Sequence, residues 1–433
     1  MASSNRPERE VVFVEGVRIP FQRSGTGYRD LTAYDLARMA LKALLDRTEL
    51  PAEQVDFVIL GNVIQNVNNS NVARDAALAA GIPHSVPAYT VSLACISANK
   101  AITSAADLIA TGQAEVAIAG GTESLTDIPI RFRKRFRQRL VESRKFRSWK
   151  DYWKLVRGLS WRDLLPEIPS ISEFSTRRTM GEDCDRLAAR IGVTRREQDE
   201  YALRSHQLAA KAIEEGLLDR EVVPALVPPD FQPVERDNGP RPDSTLEKLQ
   251  SLRPAFVKPH GTLTAGNSSF LTDGAAVTLL MSRQAAERLG YRPRAALRAY
   301  AYSAQDPFEE LLLGPAYSIP RVLDRAGMTL NDIDVFELHE AFAAQVVANL
   351  KCLASRQFAQ EKLGRSEPVG EIPLDKLNRW GGSLSIGHPF GATGARLVTT
   401  AVNRLTQEDG QFALVASCAA GAHGNAILLE RLN

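Results

Sequence analysis

Residues 50–63, LPAEQVDFVILGNV, return in altered form at residues 328–341, MTLNDIDVFELHEA. Asp56 aligns with Asp334 and Leu60 with Leu338. Both runs are short, apolar and rich in Val, Ile and Phe, which predicts a strand in each. A second pair follows in the same order. AEVAIAGG at 114–121 and QFALVASC at 411–418 each read as a strand closing on small residues. Two matches in one order point to a duplicated α/β half. The flanking pattern agrees: VVFVEGV at 11–17 predicts a strand, and AYDLARMALKALLDR at 33–47 has the apolar spacing of an amphipathic helix. Alternation of this kind places helices on the faces of a sheet. Loops at equivalent strand ends would then face each other, so groups from one half can meet groups from the other.

The repeat sets the domain boundaries. We expect an N-terminal half at residues 1–121, completed by about 263–290, and a C-terminal half at 291–433. An inserted loop domain at 122–262 breaks the pattern. It contains a polar, proline-rich stretch, VPPDFQPVERDNGPRPDST, and a basic one at 131–162 with thirteen Arg or Lys and seven aromatics. The chain as a whole is nearly neutral, at +2 over 433 residues. Its charge is therefore placed rather than general, and with no accompanying fold signature it gives no case for nucleic acid. Four widely spaced cysteines argue against a disulfide framework and against a CxxC metal site. The start, MASSNRPERE, has no apolar core and carries acids, so we expect a cytoplasmic protein.

Few residues here suit chemistry. His388 lies in NRWGGSLSIGHPFGATG, among glycines and directly before Pro389. Such a loop is poor core material and well suited to aiming one imidazole. Cys95, in VSLACISANKAI, has no charge near it before Lys100 and reads equally as a packing residue or a nucleophile. Cys418 ends a β-run, ALVASCAAGAHGNA, whose small residues leave backbone N–H groups free for a developing oxyanion. His339, in FELHEAFAAQ, follows a predicted strand. His84, His206, His260 and His423, with Cys184 and Cys352, read as wall or packing residues. Together Cys95, His388, Cys418 and His339 describe more than a hydrolase. An imidazole can activate one thiol, and a second thiol makes sense where a separate proton must move. Carbon–carbon bond chemistry beside a thioester is such a case.

With these motifs the sequence resembles the thiolase family over nearly its whole length, from VFVEGVRIPF to NAILLERL. The departures are Ser417, where an aliphatic residue is usual, and Ala420, where many members have glycine. HEAFAAQ, where many thiolases carry Asn in place of His339, and SEFSTRRTMGE resemble the β-subunit of the fatty-acid oxidation trifunctional complex, particularly its bacterial anaerobic-type form. The resemblance implies a five-layered αβαβα sandwich of two duplicated halves with an inserted loop domain. It implies 3-ketoacyl-CoA thiolase activity with CoA as co-substrate and no bound cofactor or metal.

Carried over by position, Cys95 would be the acylated nucleophile, His388 its activator, and Cys418 the acid/base. His388 and His339 would bind the thioester oxygen of the enolate-like state, and the N–H groups of Cys95 and Ala420 the tetrahedral oxyanion. Ser269 and Met180 would contact CoA, and Phe342 would line the acyl pocket. The resemblance further implies a homodimer core and docking to an α-subunit with hydratase and dehydrogenase activities. Residues 131–162 could serve that docking, a membrane surface or the CoA phosphates. Alternatives are a biosynthetic acetoacetyl-CoA thiolase, a decarboxylating ketoacyl synthase, and a non-catalytic scaffold or lipid carrier.

Overall fold

Asp56 and Asp334, aligned by the repeat, make the same contacts. The Asp56 carboxylate accepts the backbone N–H of Glu115 and of Val116, at 2.7 and 2.9 Å. The Asp334 carboxylate accepts those of Gln411 and Phe412, at 2.7 and 3.0 Å. Each pins the start of one strand to the lead-in of its parallel neighbour, and each does so with charge-assisted hydrogen bonds. The computed structural model describes residues 9–167 and 171–432; the stretch read for targeting, 1–10, lies almost wholly outside them.

Among the described residues, nine strands have four or more residues: β1 (Val11–Arg18), β2 (Phe57–Gly61), β3 (Ala88–Val91), β4 (Val116–Glu123), β5 (Thr272–Ser282), β6 (Ala295–Ala304), β7 (Val335–Leu338), β8 (Phe412–Ala419) and β9 (His423–Arg431). They run in the order β3-β2-β4-β5-β1 and then β6-β9-β8-β7. β2 is parallel to β3 and β4, and β7 is parallel to β8, while the other pairs are antiparallel. Among the described residues the sheet strands of the two halves pair where Val12 and Phe13 of β1 face Ala296 and Ala295 of β6. Leu60 pairs across β2–β4 with Gly120, as Leu338 pairs across β7–β8 with Ala416.

The helices of eight or more residues are α1 (Ala33–Thr48), α2 (Val72–Ala79), α3 (Ser97–Ala110), α4 (Lys134–Glu142), α5 (Trp149–Val156), α6 (Met180–Ile191), α7 (Arg195–Glu214), α8 (Gly314–Ala326), α9 (Ala343–Ala354) and α10 (Thr393–Gln407). Alternation along the strands sorts their side chains into three apolar cores. Val116 and Ile118 of β4 point into a core under α1 and α2. Ala117 and Ala119 point the other way, into a core with α3 and α10. In the second half Ala413 and Val415 of β8 share that central core, while Leu414, Ala416 and Cys418 face α8 and α9. The result is five layers: α1 and α2, the first sheet half, α3 with α10, the second sheet half, and α8 with α9. The two central helices are covered on both sides, and α10 is buried along nearly its whole length, Arg396 and Arg404 included.

Close approach between layers depends on glycine at one point above all. A Cβ on Gly121, at the end of β4, would lie 1.8 Å from the carbonyl oxygen of Gly391. The absence of a side chain there lets the His388 loop lie against the first half. Among the described residues between Glu123 and Thr272 the chain leaves the sheet, apart from a bridge of Val222 to Arg18 of β1, and forms two short strand pairs of its own. α4 and α5 in this segment contain no buried residue, and Trp149, Trp153 and Trp161 are 70%, 66% and 68% exposed. Among the described residues no helix is long and apolar enough to cross a membrane.

Candidate active site

Cys95 stands two residues before α3 begins, on a turn that Ser97 holds. The Ser97 hydroxyl donates to the carbonyl of Ala94 and accepts the N–H of Leu93, at 2.6 and 2.8 Å. Ala94 takes φ 45°, in the left-handed region, which is strained for a residue with a side chain. The bend aims the cysteine away from the sheet at the positive end of a central helix, where a thiolate is favoured.

His388 reaches the same place from the other half. Gly387 holds φ 117°, a conformation that favours glycine, and the backbone N–H of His388 donates to Thr272 Oγ1 at 3.0 Å. His339 follows β7, with its own N–H on the carbonyl of Ala416 at 2.8 Å. The rings of His339 and His388 lie 4.0 Å apart, centre to centre. Cys95 Sγ and one nitrogen of each ring all lie within 4.8 Å of one another. Each Nδ1 is engaged behind its ring: that of His388 with Thr393 Oγ1 at 2.6 Å, that of His339 with Ser383 Oγ at 3.0 Å. Both Nε2 atoms are buried and have no hydrogen-bond partner among the described residues. They are the nitrogens left for the thiol and for a ligand beside it.

The backbone N–H groups of Ala420 and of Cys95 itself are directed at the Cys95 sulfur. Cys418 is buried and close enough to Cys95 to feel its charge. The electrostatics follow from dryness. Burial pushes the Cys95 thiol up to about 12, against the two N–H groups that pull it down. Burial and then the neighbouring Cys95 hold the Cys418 thiol well above its ordinary range. Burial and then Arg396 lower His339 to about 3, and burial followed by His339 and Arg396 lowers His388 well below its usual value. At neutral pH the resting site therefore holds neutral thiols and neutral imidazoles. A proton moves only when a reacting group makes the move favourable.

Several carboxylates that sequence reasoning missed keep the site in place. Glu123 accepts Asn62 Nδ2 and the N–H groups of Val63, Ile64 and Gly391 at 2.9–3.1 Å, tying the His388 loop to the first half. Burial raises its carboxyl to about 7 despite those donors. Glu340 accepts Tyr201 Oη, Ser205 Oγ, Asn378 Nδ2 and the N–H of Leu384, joining the segment after β7 to α7 and to the glycine-rich run before His388. Glu173, in the inserted segment, accepts the N–H of Gly421 at 2.7 Å, next to Ala420. Residue type gave some signal for these; their partners, up to 268 residues away, gave none.

The remaining candidates are spread around this centre. The N–H of Ser269 donates to the carbonyl of Ala341 at 3.0 Å, and Phe342 is buried edge-on to Phe256 with ring centres 5.8 Å apart. Met180 opens α6 and packs partly buried against the apolar core that holds Phe342 and Cys418. Ser417 is buried in β8 with its hydroxyl unpartnered. Cys184 and Cys352 are buried, and His206 is buried with Nδ1 accepting the N–H of Arg241 at 3.3 Å.

The model of the thiolase N-terminal domain matches residues 11–284, and that of the thiolase C-terminal domain matches residues 291–431. The chain is 54% identical over 422 residues to the mitochondrial trifunctional enzyme subunit beta of Homo sapiens, covering 98% of this chain and 88% of the relative. It is 52% identical over 431 residues to a probable 3-ketoacyl-CoA thiolase of Caenorhabditis elegans, covering 99% and 95%. Among solved structures, human mitochondrial 3-ketoacyl-CoA thiolase in complex with CoA aligns with a TM-score of 0.84 at 31% identity, covering 98% of each chain. The expectation of a cytoplasmic protein is overturned here, because the mammalian relatives are mitochondrial subunits. The acids near the start of the chain were no guide to compartment. Sequence, fold and site agree: the chain belongs to the thiolase family.

Proposed function

We propose that the protein is a 3-ketoacyl-CoA thiolase, cleaving 3-ketoacyl-CoA with CoA to acetyl-CoA and an acyl-CoA shorter by two carbons. The observation that carries this reading is the meeting of a half-buried thiol, two buried imidazoles with free Nε2 atoms and two backbone N–H groups, with a second, buried thiol beside them. The Cys95 sulfur attacks the 3-keto carbon as His388 Nε2 takes its proton. The N–H groups of Cys95 and Ala420 hold the tetrahedral oxyanion. The C2–C3 bond then breaks, leaving an acyl group on Cys95 and an acetyl-CoA enolate whose thioester oxygen rests between His339 and His388.

Cys418 protonates C2, and acetyl-CoA leaves. The Cys418 thiolate next takes the proton of the incoming CoA thiol. The CoA sulfur attacks the acyl-Cys95 thioester, and His388 returns its proton to Cys95. Every proton is accounted for, and each thiol ends as it began. A decarboxylating synthase makes its carbanion by losing CO2 and has no use for Cys418. Ser269 and Met180 are assigned to CoA, and Phe342 to the wall of the acyl pocket.

Intact-mass measurement after mixing with acetoacetyl-CoA or a longer 3-ketoacyl-CoA tests this. A mass gain equal to the acyl group, lost in Cys95→Ser, is the expected result. No adduct and no CoA-dependent cleavage would overturn it.

The partner reading rests on relatives that are beta subunits of a trifunctional enzyme. The protein forms a homodimer core that docks an α-subunit with hydratase and dehydrogenase activities. The aromatic, basic face of α4 and α5 suits such a contact, since exposed Trp and Arg are favoured at the centres of interfaces. Replacing Trp149, Trp153 and Trp161 with Ser should abolish co-elution with the α-subunit while thiolysis by the isolated protein persists. Intact co-elution with lost binding to anionic vesicles would reassign this face to a membrane surface.

A further inference from the structure

His339 and His388 face one another as similar rings, yet the groups behind them differ. Behind His388, the Thr393 hydroxyl donates to the carbonyl of Pro389 at 3.0 Å, so its oxygen is left to accept His388 Nδ1–H. His388 then presents a lone pair on Nε2, as a base requires. Behind His339 stands Ser383, whose oxygen already accepts Arg396 Nη2–H at 2.9 Å. Arg396 is wholly buried, with Nη1 3.6 Å from Glu337, and it can only donate. Among the described residues the Ser383 proton has one acceptor within reach, His339 Nδ1 at 3.0 Å. With the opposite tautomer, two donors would converge on the serine oxygen and its own proton would be buried with no partner.

We infer that Ser383, oriented by Arg396, is a positioning residue that fixes His339 as an Nε2–H donor, opposite in polarity to His388. The pair then divides the work: His388 takes the Cys95 proton, and His339 offers a preset N–H to the thioester oxygen of the departing enolate. A donor fixed before the reaction needs no reorganisation as charge develops. The kinetic part of this inference rests on the site assignment proposed above; the tautomer itself does not.

The test uses the full-length protein labelled with 15N-histidine. Ring-nitrogen shifts, assigned with His339→Asn and His388→Asn variants, should show His339 protonated at Nε2 and His388 at Nδ1. Ser383→Ala should lower kcat for thiolysis about tenfold or more with little change in KM, and Ser383→Thr should restore most of it. In a His339→Asn background, where the amide keeps an N–H whatever stands behind it, Ser383→Ala should add less than about a twofold loss. A wild-type His339 protonated at Nδ1 would overturn the inference. So would equal losses from Ser383→Ala in both backgrounds, the result of a merely structural serine. If the tautomers are as stated but wild type forms no acyl-Cys95, the thiolase reading fails and the tautomer assignment stands.

Discussion

The two halves of this chain share one frame and use it differently. In each, an aspartate before the second strand clips two backbone N–H groups at the start of a parallel neighbour, and a buried helix lies against the partner half. At the strand ends the halves diverge. Beyond Leu60 come Gly61 and Asn62; beyond the aligned Leu338 come His339 and Glu340. By the pairing register, Gly121 of β4 corresponds to Ser417 of β8, so Cys418 falls where the first half has Thr122. The first half contributes the proposed nucleophile and a carboxylate, Glu123, that grips the His388 loop. The second contributes both imidazoles and the second thiol. Duplication thus supplies two facing sets of strand ends, and chemistry arises because the sets are no longer alike.

The sharpest way to break the comparison is to remove one member from each side. Cys95→Ser should lower thiolysis by about 10⁴-fold or more, because the hydroxyl is a far weaker nucleophile in the same dry setting. Steady-state cleavage of acetoacetyl-CoA, with the acyl adduct followed by mass, checks it. Cys418→Ala should cost about 10²–10⁴-fold, the usual range for a lost proton-transfer group, while leaving Cys95 open to alkylation. Equal turnover in Cys418→Ala would remove the second half's thiol from the mechanism.

A pH profile separates the thiol from its helix. The helix end favours a thiolate, whereas burial pushes Cys95 up to about 12, and burial is the larger cause. A raised value means the thiolate fraction grows tenfold per pH unit through the alkaline range. Inactivation by iodoacetamide should therefore keep rising from pH 8 to 11. A plateau near pH 8.5, where ordinary thiols level off, would show that the N–H groups and the helix outweigh burial.

Much of this was legible in the chain. The repeat, the alternation of strands and helices, and the settings of Cys95, His388, Cys418 and His339 are local patterns or long motifs, and such patterns survive translation into structure. The parts that were not legible depend on distance. Nothing in the letters pairs Glu123 with Gly391, Glu173 with Gly421, or Ser383 with both Arg396 and His339. Those contacts exist only once two sheets have closed over α3 and α10. The compartment was misread for a different reason: that expectation rested on the first ten residues, whose acids were no guide to it.

Packing offers a smaller, structural test. Gly121→Ala would drive a Cβ into the carbonyl of Gly391, and backbone cannot rotate aside as a long side chain can. We expect a loss of about 1–3 kcal/mol, the usual cost of overpacking, and a displaced His388 loop. Ser417→Ala, at the corresponding position of the second half, removes a buried hydroxyl that has no partner and should cost nothing or stabilise slightly. Urea midpoints of the two variants read the difference, and equal losses would mean that the Gly391 loop yields to the added methyl or that the Ser417 hydroxyl has a stabilising partner.

The smallest effect tests the frame itself. Asp56→Ala and Asp334→Ala each remove a carboxylate that accepts two backbone N–H groups, and each leaves a strand start unpinned. Three of the four freed N–H groups belong to the half-buried residues Glu115, Gln411 and Phe412, so the expected loss is only about 1–2 kcal/mol in either case. What matters is equality. If the aspartates are equivalent parts of a duplicated unit, their urea midpoints should fall together and the double variant should be additive, since separate strand pairs share no contacts. A large loss from one and none from the other would show that one half alone limits folding, and that the symmetry seen in the strands does not extend to their stability.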